Sequence, residues 1–193
     1  MRSNIGFKVS LVGQSGVGKT CLLTRYIKGI FNPKNVTTIG ANFLTKELVI
    51  QNTHITLNIR DTAGQELYRS LTPMYYRNAA AAIVIFDVTS VRSFETIKEW
   101  VSELRANERD ILIYLCGNKI DLVDQRQITT TQIENLAEEL NIKFTETSAF
   151  DGNGIDQLFY MIANDIMKSD QFFEYFPKEE IENKNQEQES SCC

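Results

Sequence analysis

The segment Gly13-Gln14-Ser15-Gly16-Val17-Gly18-Lys19-Thr20 carries the densest chemistry in the chain, and it matches G-x-x-x-x-G-K-[ST]. Glycines at that spacing let the backbone wrap so closely that successive N–H groups face phosphate oxygens. The cradle would run from Ser15 through Gly16, Val17, Gly18, Lys19 and Thr20 to Cys21, at the positive end of the helix that follows. Lys19 is placed to reach the β- and γ-phosphates, and the Thr20 hydroxyl to ligate Mg²⁺.

Two further clusters complement this one. Asp61-Thr62-Ala63-Gly64-Gln65 sets an acid where it can hold Mg²⁺ through water and a Gly64 N–H where it can sense a γ-phosphate. Alone, that spacing is equally a turn. Asn118-Lys119-Ile120-Asp121 offers a carboxylate able to accept from both N1–H and N2–H of guanine. Adenine has an acceptor at N1 and lacks the amine, a mismatch that a polar site rejects by ~10⁴ or more. In isolation Asn-Lys-x-Asp also reads as a surface turn.

The elements that must position these groups follow from hydrophobic period. Phe7 to Val12 reads as a strand, and Lys19 to Lys28 as a helix after the glycine-rich turn. Ile55, Leu57 and Ile59 alternate with polar residues, Leu44, Leu48 and Ile50 share one parity, and Gln51-Asn52-Thr53 reads as the hairpin turn between them. Ala80 to Phe86 and Ile111 to Cys116 are continuous apolar runs, as in strands buried on both faces. Lys143 to Thr147 fits a last strand. Helical faces are Phe94/Ile97/Val101/Leu104, Ile133/Leu136/Ala137/Leu140 and Ile155/Leu158/Phe159/Ile162/Ile166. The alternation predicts a doubly wound α/β sheet of six strands, one of them antiparallel, with helices on both faces. Each motif then falls just beyond a strand's carboxyl end, where open α/β sheets bind ligands.

Of the 193 residues, 42% are hydrophobic and 23% charged, the balance of an ordinary globular chain. The net charge is −5, which argues against a nucleic-acid-binding role. All of it lies beyond Lys168, in seven acids against two lysines, so residues 1–168 are neutral. The longest apolar run, Ala79 to Phe86, falls far short of the ~20 residues a membrane span needs. Lys8 and Ser10 interrupt any secretory apolar region. Residues 1–168 therefore form the predicted domain, and 169–193 an acidic tail, rich in Glu, Asn, Gln and Ser from Lys178 onward and expected to be disordered. Within it, Phe172, Phe173, Tyr175 and Phe176 suit either recognition or docking against the last helix. Cys21 and Cys116 sit in apolar surroundings and read as small core residues, whereas Cys192 and Cys193 end the sequence. His54, the single histidine, falls in the hairpin without a catalytic role.

Taken in order, the three motifs resemble those of a small GTPase of the Ras superfamily, over residues 7–168. The resemblance implies the P-loop NTPase G domain fold, GTP and GDP as substrate and product, and Mg²⁺. It implies Thr38 as a further Mg²⁺ ligand beside Thr20 and Asp61. Phe31 becomes the aromatic edge-on to guanine, and Gln65 the orienter of the attacking water beside Lys19. Ser148 and Ala149 belong to the loop whose Ala149 N–H meets guanine O6. Ile39 to Phe43 and Tyr68 to Arg77 resemble Rab proteins, nearest the early-endosomal ones, and Cys192-Cys193 resembles their double-geranylgeranyl signal. The implied partners are an exchange factor, an activating protein, GTP-state effectors, an escort or dissociation inhibitor, and a prenyltransferase. The implied place is the cytoplasmic face of intracellular, endosomal membranes, with an escorted cytosolic pool.

Two positions depart from the resemblance. Arg60 stands where Rab proteins usually have Trp, in a triad with Phe43 and Tyr75 that effectors contact. A charged fork in place of an apolar ring implies altered effector choice, towards a carboxylate or an aromatic face; the alternative is an Arg60 that points into solvent. Phe150 stands where the family usually has Lys. Two rival readings remain at this point. A module that binds GTP without useful hydrolysis is disfavoured by Gln65 and Thr38, and a P-loop ATPase or kinase by Asn118 and Asp121.

Overall fold

The computed structural model describes residues 6–32, 41–62, 76–169 and 172, the side chains of 41, 42 and 62 excepted. Six strands form one sheet: β1 Gly6–Val12, β2 Ala41–Ile50, β3 Thr53–Thr62, β4 Ala81–Asp87, β5 Leu112–Asn118 and β6 Lys143–Thr147. Their order is β2-β3-β1-β4-β5-β6, with β2 antiparallel to β3 and the other pairs parallel. The helices are α1 Lys19–Lys28, α2 Val91–Glu95, α3 Ile97–Asn107, α4 Thr130–Leu140 and α5 Ile155–Ile166.

The predicted hairpin turn closes through Gln51 and Asn52, with φ of 48° and 61°. Two left-handed residues give the turn twist that antiparallel strands favour, and that fixes the register Phe43↔Arg60 and Leu44↔Ile59. Alternation then divides the apolar residues between two faces. Phe7, Val9 and Leu11 of β1 join Leu57, Ile59 and the buried sides of α1 and α5 in one core. Val12, Ala82, Val84 and Phe86 join Ile97, Val101, Leu104 and Ile133 in the other. Every residue of β4 is buried, which explains its uninterrupted apolar sequence.

One helix expected from Phe94 to Leu104 is two. At Thr96 (φ −81°, ψ −6°) the chain breaks between α2 and α3, and the Thr96 hydroxyl donates to the Ser93 carbonyl at 3.0 Å. Such local side-chain bonding competes with the helical ladder. The apolar face survives the break, because Phe94 packs edge-on to Phe86 at 5.2 Å and Trp100 lies against the same core. Beyond α5, Phe172 is buried and stacks on Phe7 with centroids 6.1 Å apart, so the first of the four tail aromatics docks back onto the domain. Phe173, Tyr175 and Phe176 lie outside the described residues.

Candidate nucleotide site

The chain leaves β1 at Val12 and enters α1 at Lys19, and the turn between is built for close approach. Gly18, the N-cap of α1, has φ 97°, and a Cβ there would stand 2.4 Å from Asn118 Nδ2. No side chain caps α1 at Gly18, and the positive end of a helix favours an anion. Ser15 and Gly16 are exposed at the tip of the turn, whereas Val17 is buried.

Lys19 folds back along the loop. Its Nζ donates to Gly13 O at 2.8 Å and to Gln14 O at 2.7 Å, and the residue is 5% exposed. Burial lowers its ammonium to about 8, against the opposing pull of Asp61. An ammonium held so far out of water by two neutral carbonyls gains from any anion brought to it.

Across the loop, the Thr20 hydroxyl donates to Asp61 Oδ2 at 2.6 Å. The other oxygen, Asp61 Oδ1, is buried and has no hydrogen-bond partner among the described residues. Burial raises the Asp61 carboxyl pKa, while the Thr20 hydrogen bond and Lys19 oppose the rise. A hydroxyl and an orphaned carboxylate oxygen form a hard donor set, which suits Mg²⁺ completed by water and phosphate oxygens. The residues present thus fit the ion.

The far wall is made by the ends of β5 and β6. Asn118 is fully buried and ties the two halves together. Its Nδ2 donates to Val17 O at 2.9 Å, and its Oδ1 accepts from Thr147 Oγ1 and Ala149 N, both at 3.3 Å. The side chain expected to bind nucleotide also braces the loops. Lys119, at φ 70°, pairs with Asp87 Oδ2 at 2.6 Å, and Asp87 Oδ1 accepts from the Thr89 N–H and hydroxyl. Asp121 Oδ1 accepts the Ser148 hydroxyl at 2.6 Å, and Ser148 Oγ accepts from the N–H groups of Phe150 and Asp151 at 3.2 Å. The Asp121 carboxylate is thereby aimed by the loop that also presents Ala149.

Lys19, Thr20, Asp61, Asn118, Lys119, Asp121, Ser148 and Ala149 thus lie at or just beyond the carboxyl ends of β1, β3, β5 and β6. Phe31 follows α1, packed against the first core. Cys21 is half-buried against that core, a looser place than predicted for it. Cys116 is fully buried, and its thiol is pushed up to about 12. His54 is exposed in the hairpin strand. Thr38, Gly64, Gln65, Tyr75, Cys192 and Cys193 lie outside the described residues. Sequence reasoning missed Arg25 and Asp87. The acid that closes the β4 apolar run was the one available signal for Asp87.

The model of the Ras family matches residues 8–168. The chain belongs to the Ras family. This Ras-family chain is a GTPase, as members of its family are, and its relatives carry Rab names. It is 46% identical to the putative Ras-related protein Rab-5B of Dictyostelium discoideum, over 85% of this chain and 77% of that one. It is 42% identical to Ras-related protein RabJ of the same organism, over 90% and 69%. With Ras-related protein Rab-22A of Canis lupus familiaris it shares 42%, over 84% of each.

The Ras-family chain also shows what became of Arg60. Its guanidinium carbon lies 4.2 Å from the centroid of the Phe43 ring, across the β2–β3 pair, a cation–π stack. Arg60 therefore lies over the Phe43 ring, which remains 59% exposed, rather than standing alone in solvent.

Proposed function

We propose that the chain is a Rab-type switch in vesicle transport, loading GTP along this edge of the sheet and acting at the cytoplasmic face of endosomal membranes. The carrying observation is the Asn118 bridge, which locks the phosphate loop and the Asp121–Ser148 wall into one frame. A base read by the wall and phosphates cradled by the loop would then be registered to each other before binding, which lowers the entropic cost of docking. The Rab-named relatives support the transport role.

In this frame Asp121 accepts from guanine N1–H and N2–H. The Ala149 N–H, bonded to Asn118 Oδ1 at 3.3 Å, turns to guanine O6. Phe31 flanks the base, with Lys119 spanning from Asp87 towards the phosphate loop. The backbone from Ser15 to Cys21 meets the phosphates, and Lys19 exchanges its carbonyl partners for β- and γ-oxygens. Thr20 and Asp61, with Thr38, would hold Mg²⁺, which supplies charge neutralisation on those oxygens. The γ-phosphate would hold Thr38 and Gly64, so its loss frees the two segments that effectors read. Gln65 orients the attacking water. Hydrolysis without an activating protein then runs at about 10⁻³ s⁻¹ or slower, and Gln65→Leu slows it about tenfold or more in a single-turnover assay. Equal rates would remove Gln65 from the reaction.

Effectors would meet Phe43 with Arg60 stacked on it, beside Tyr75. An exchange factor and an activating protein would drive the cycle. Residues 1–168 form the G domain, and 169–193 the tether to the membrane. Among the described residues no helix is long and apolar enough to cross one. A single lipid chain binds only marginally, and an acidic tail opposes an anionic leaflet. Cys192 and Cys193 are therefore both geranylgeranylated, by a prenyltransferase, and an escort or dissociation inhibitor covers the lipids in the cytosol. Cys193→Ser alone leaves most of the protein in the soluble fraction on membrane flotation. Full retention on membranes would count against the two-lipid requirement.

A further inference from the structure

Register places Ala82, Ser10, Arg60 and Phe43 in one row across β4, β1, β3 and β2, so their side chains share a face of the sheet. At the β4 end of the row, Ala82 is buried in the second core beneath α3. At the β2 end the same face is open to water, with Phe43 59% and Val49 61% exposed. Lys8 stands on this face two residues before Ser10. Its ammonium donates to the Arg77 carbonyl. Burial lowers the Lys8 pKa to about 8, repulsion from Arg60 adds to the fall, and Glu108 opposes it. Glu108 itself accepts from the Asn78 N–H at 3.0 Å. The other acid on this face, Glu47, lies four residues along β2 from Phe43. Two cations that repel each other across neighbouring strands gain from an anion brought between them. The stack of Arg60 on Phe43 sets an apolar ring beside that charge.

The chain carries its own acidic peptide close by. Phe172 stacks on Phe7, the neighbour of Lys8, so the tail sets out from the end of β1 at which Lys8 stands. Beyond Phe172 come six acids against two lysines, including the run Glu179-Glu180-Ile181-Glu182. The seven steps from Phe172 to Glu179 span at most about 25 Å. A sheet with its two layers of side chains is only about 10 Å thick, so this length suffices to turn past the exposed Gly6 and reach the other face.

We propose that the acidic tail docks on its own domain, with Glu179, Glu180 and Glu182 laid across Lys8 and Arg60 and Ile181 beside Phe43. Exposed ion pairs are each worth at most about 1 kcal/mol, but a short tether presents the acids at an effective concentration in the mM range. The neutral balance of residues 1–168 against the charge of the tail is then a complementarity within one chain. The docked tail covers the ring that effectors would meet, so tail and effector compete for one face. That consequence rests on the reading above; the docking does not.

The test treats the full, unlipidated chain with a carbodiimide, which condenses an amine and a carboxylate in contact into an amide. Peptide mapping by mass spectrometry should find Lys8 joined to Glu179, Glu180 or Glu182. In a mixture of isotope-labelled and unlabelled protein the linked peptides should each carry a single label. The yield should fall about fivefold or more near 1 M salt, where the Debye length is about 3 Å. Amide NMR gives a second reading. The triple variant Glu179→Gln/Glu180→Gln/Glu182→Gln should shift the signals of Lys8, Phe43 and Arg60, and Arg60→Gln should shift those of residues 179–182. Absence of a Lys8 link, or shifts in the triple variant confined to the tail or to another face, would overturn the docking. Links only between differently labelled chains would overturn it in favour of a second copy. A chain that keeps the link yet binds no GTP would support the docking while refuting the nucleotide reading.

Discussion

Replacing Asp121 by Ala is expected to collapse the preference for GTP over ATP from ~10⁴ or more to about tenfold or less. Asp121 lies between two demands. One carboxylate oxygen accepts the Ser148 hydroxyl at 2.6 Å, and on the proposed reading the group also accepts from guanine. Removing it leaves guanine N1–H and N2–H unpaired, each bond to a charged acceptor being worth about 1.5–3 kcal/mol. It also frees Ser148, which holds the N–H groups of Phe150 and Asp151, so the loop presenting Ala149 loosens as well. ATP gains nothing from the change. Displacement of bound fluorescent GDP by GTP and by ATP measures the ratio. A variant that still prefers GTP by 10³ would show that guanine is recognised elsewhere.

Lys19→Ala is expected to weaken GTP binding by about 10²- to 10³-fold, the usual range for truncating one member of a buried charged pair. Lys19 is 5% exposed, and two carbonyls and the nearby Asp61 offset the desolvation of its ammonium. Because burial lowers its pKa, the fold disfavours the charged form, and that cost is present at all pH values below about 8. Removing the side chain therefore removes a cost as well as two hydrogen bonds. The thermal midpoint of the nucleotide-free variant should move little, while the stabilisation added by GTP largely disappears. Titration calorimetry alongside thermal unfolding separates the two effects. Affinity within tenfold of the parent, with an unchanged midpoint, would place the phosphates away from Lys19.

Much of the framework around the proposed site was legible in residue type and spacing. The P-loop spacing, the acid ending β3 and the Asn-Lys-x-Asp segment each reflect local demands that a short stretch must satisfy alone: a tight glycine turn, a strand end, a carboxylate on a loop. Strand β3 was legible because its apolar residues alternate, and β4 because it is buried and apolar throughout. The break at Thr96 was not, because a hydroxyl bonding a carbonyl three residues back leaves the apolar face of α3 unchanged.

Residue type and spacing by themselves determined that the three motifs occur in this order, each at the end of a strand. They also determined that the acidic charge belongs to the tail. Only the tertiary structure decided that Asn118 braces two loops, that Lys119 pairs with Asp87, that Arg60 stacks on Phe43, and that Arg25 ties the end of α1 to the loop after β6. The physical reason is range. Asn118 reaches Val17 across 101 positions and Arg25 reaches Phe150 across 125, and no period or local spacing encodes a hydrogen bond that exists only after the sheet has brought those strand ends together.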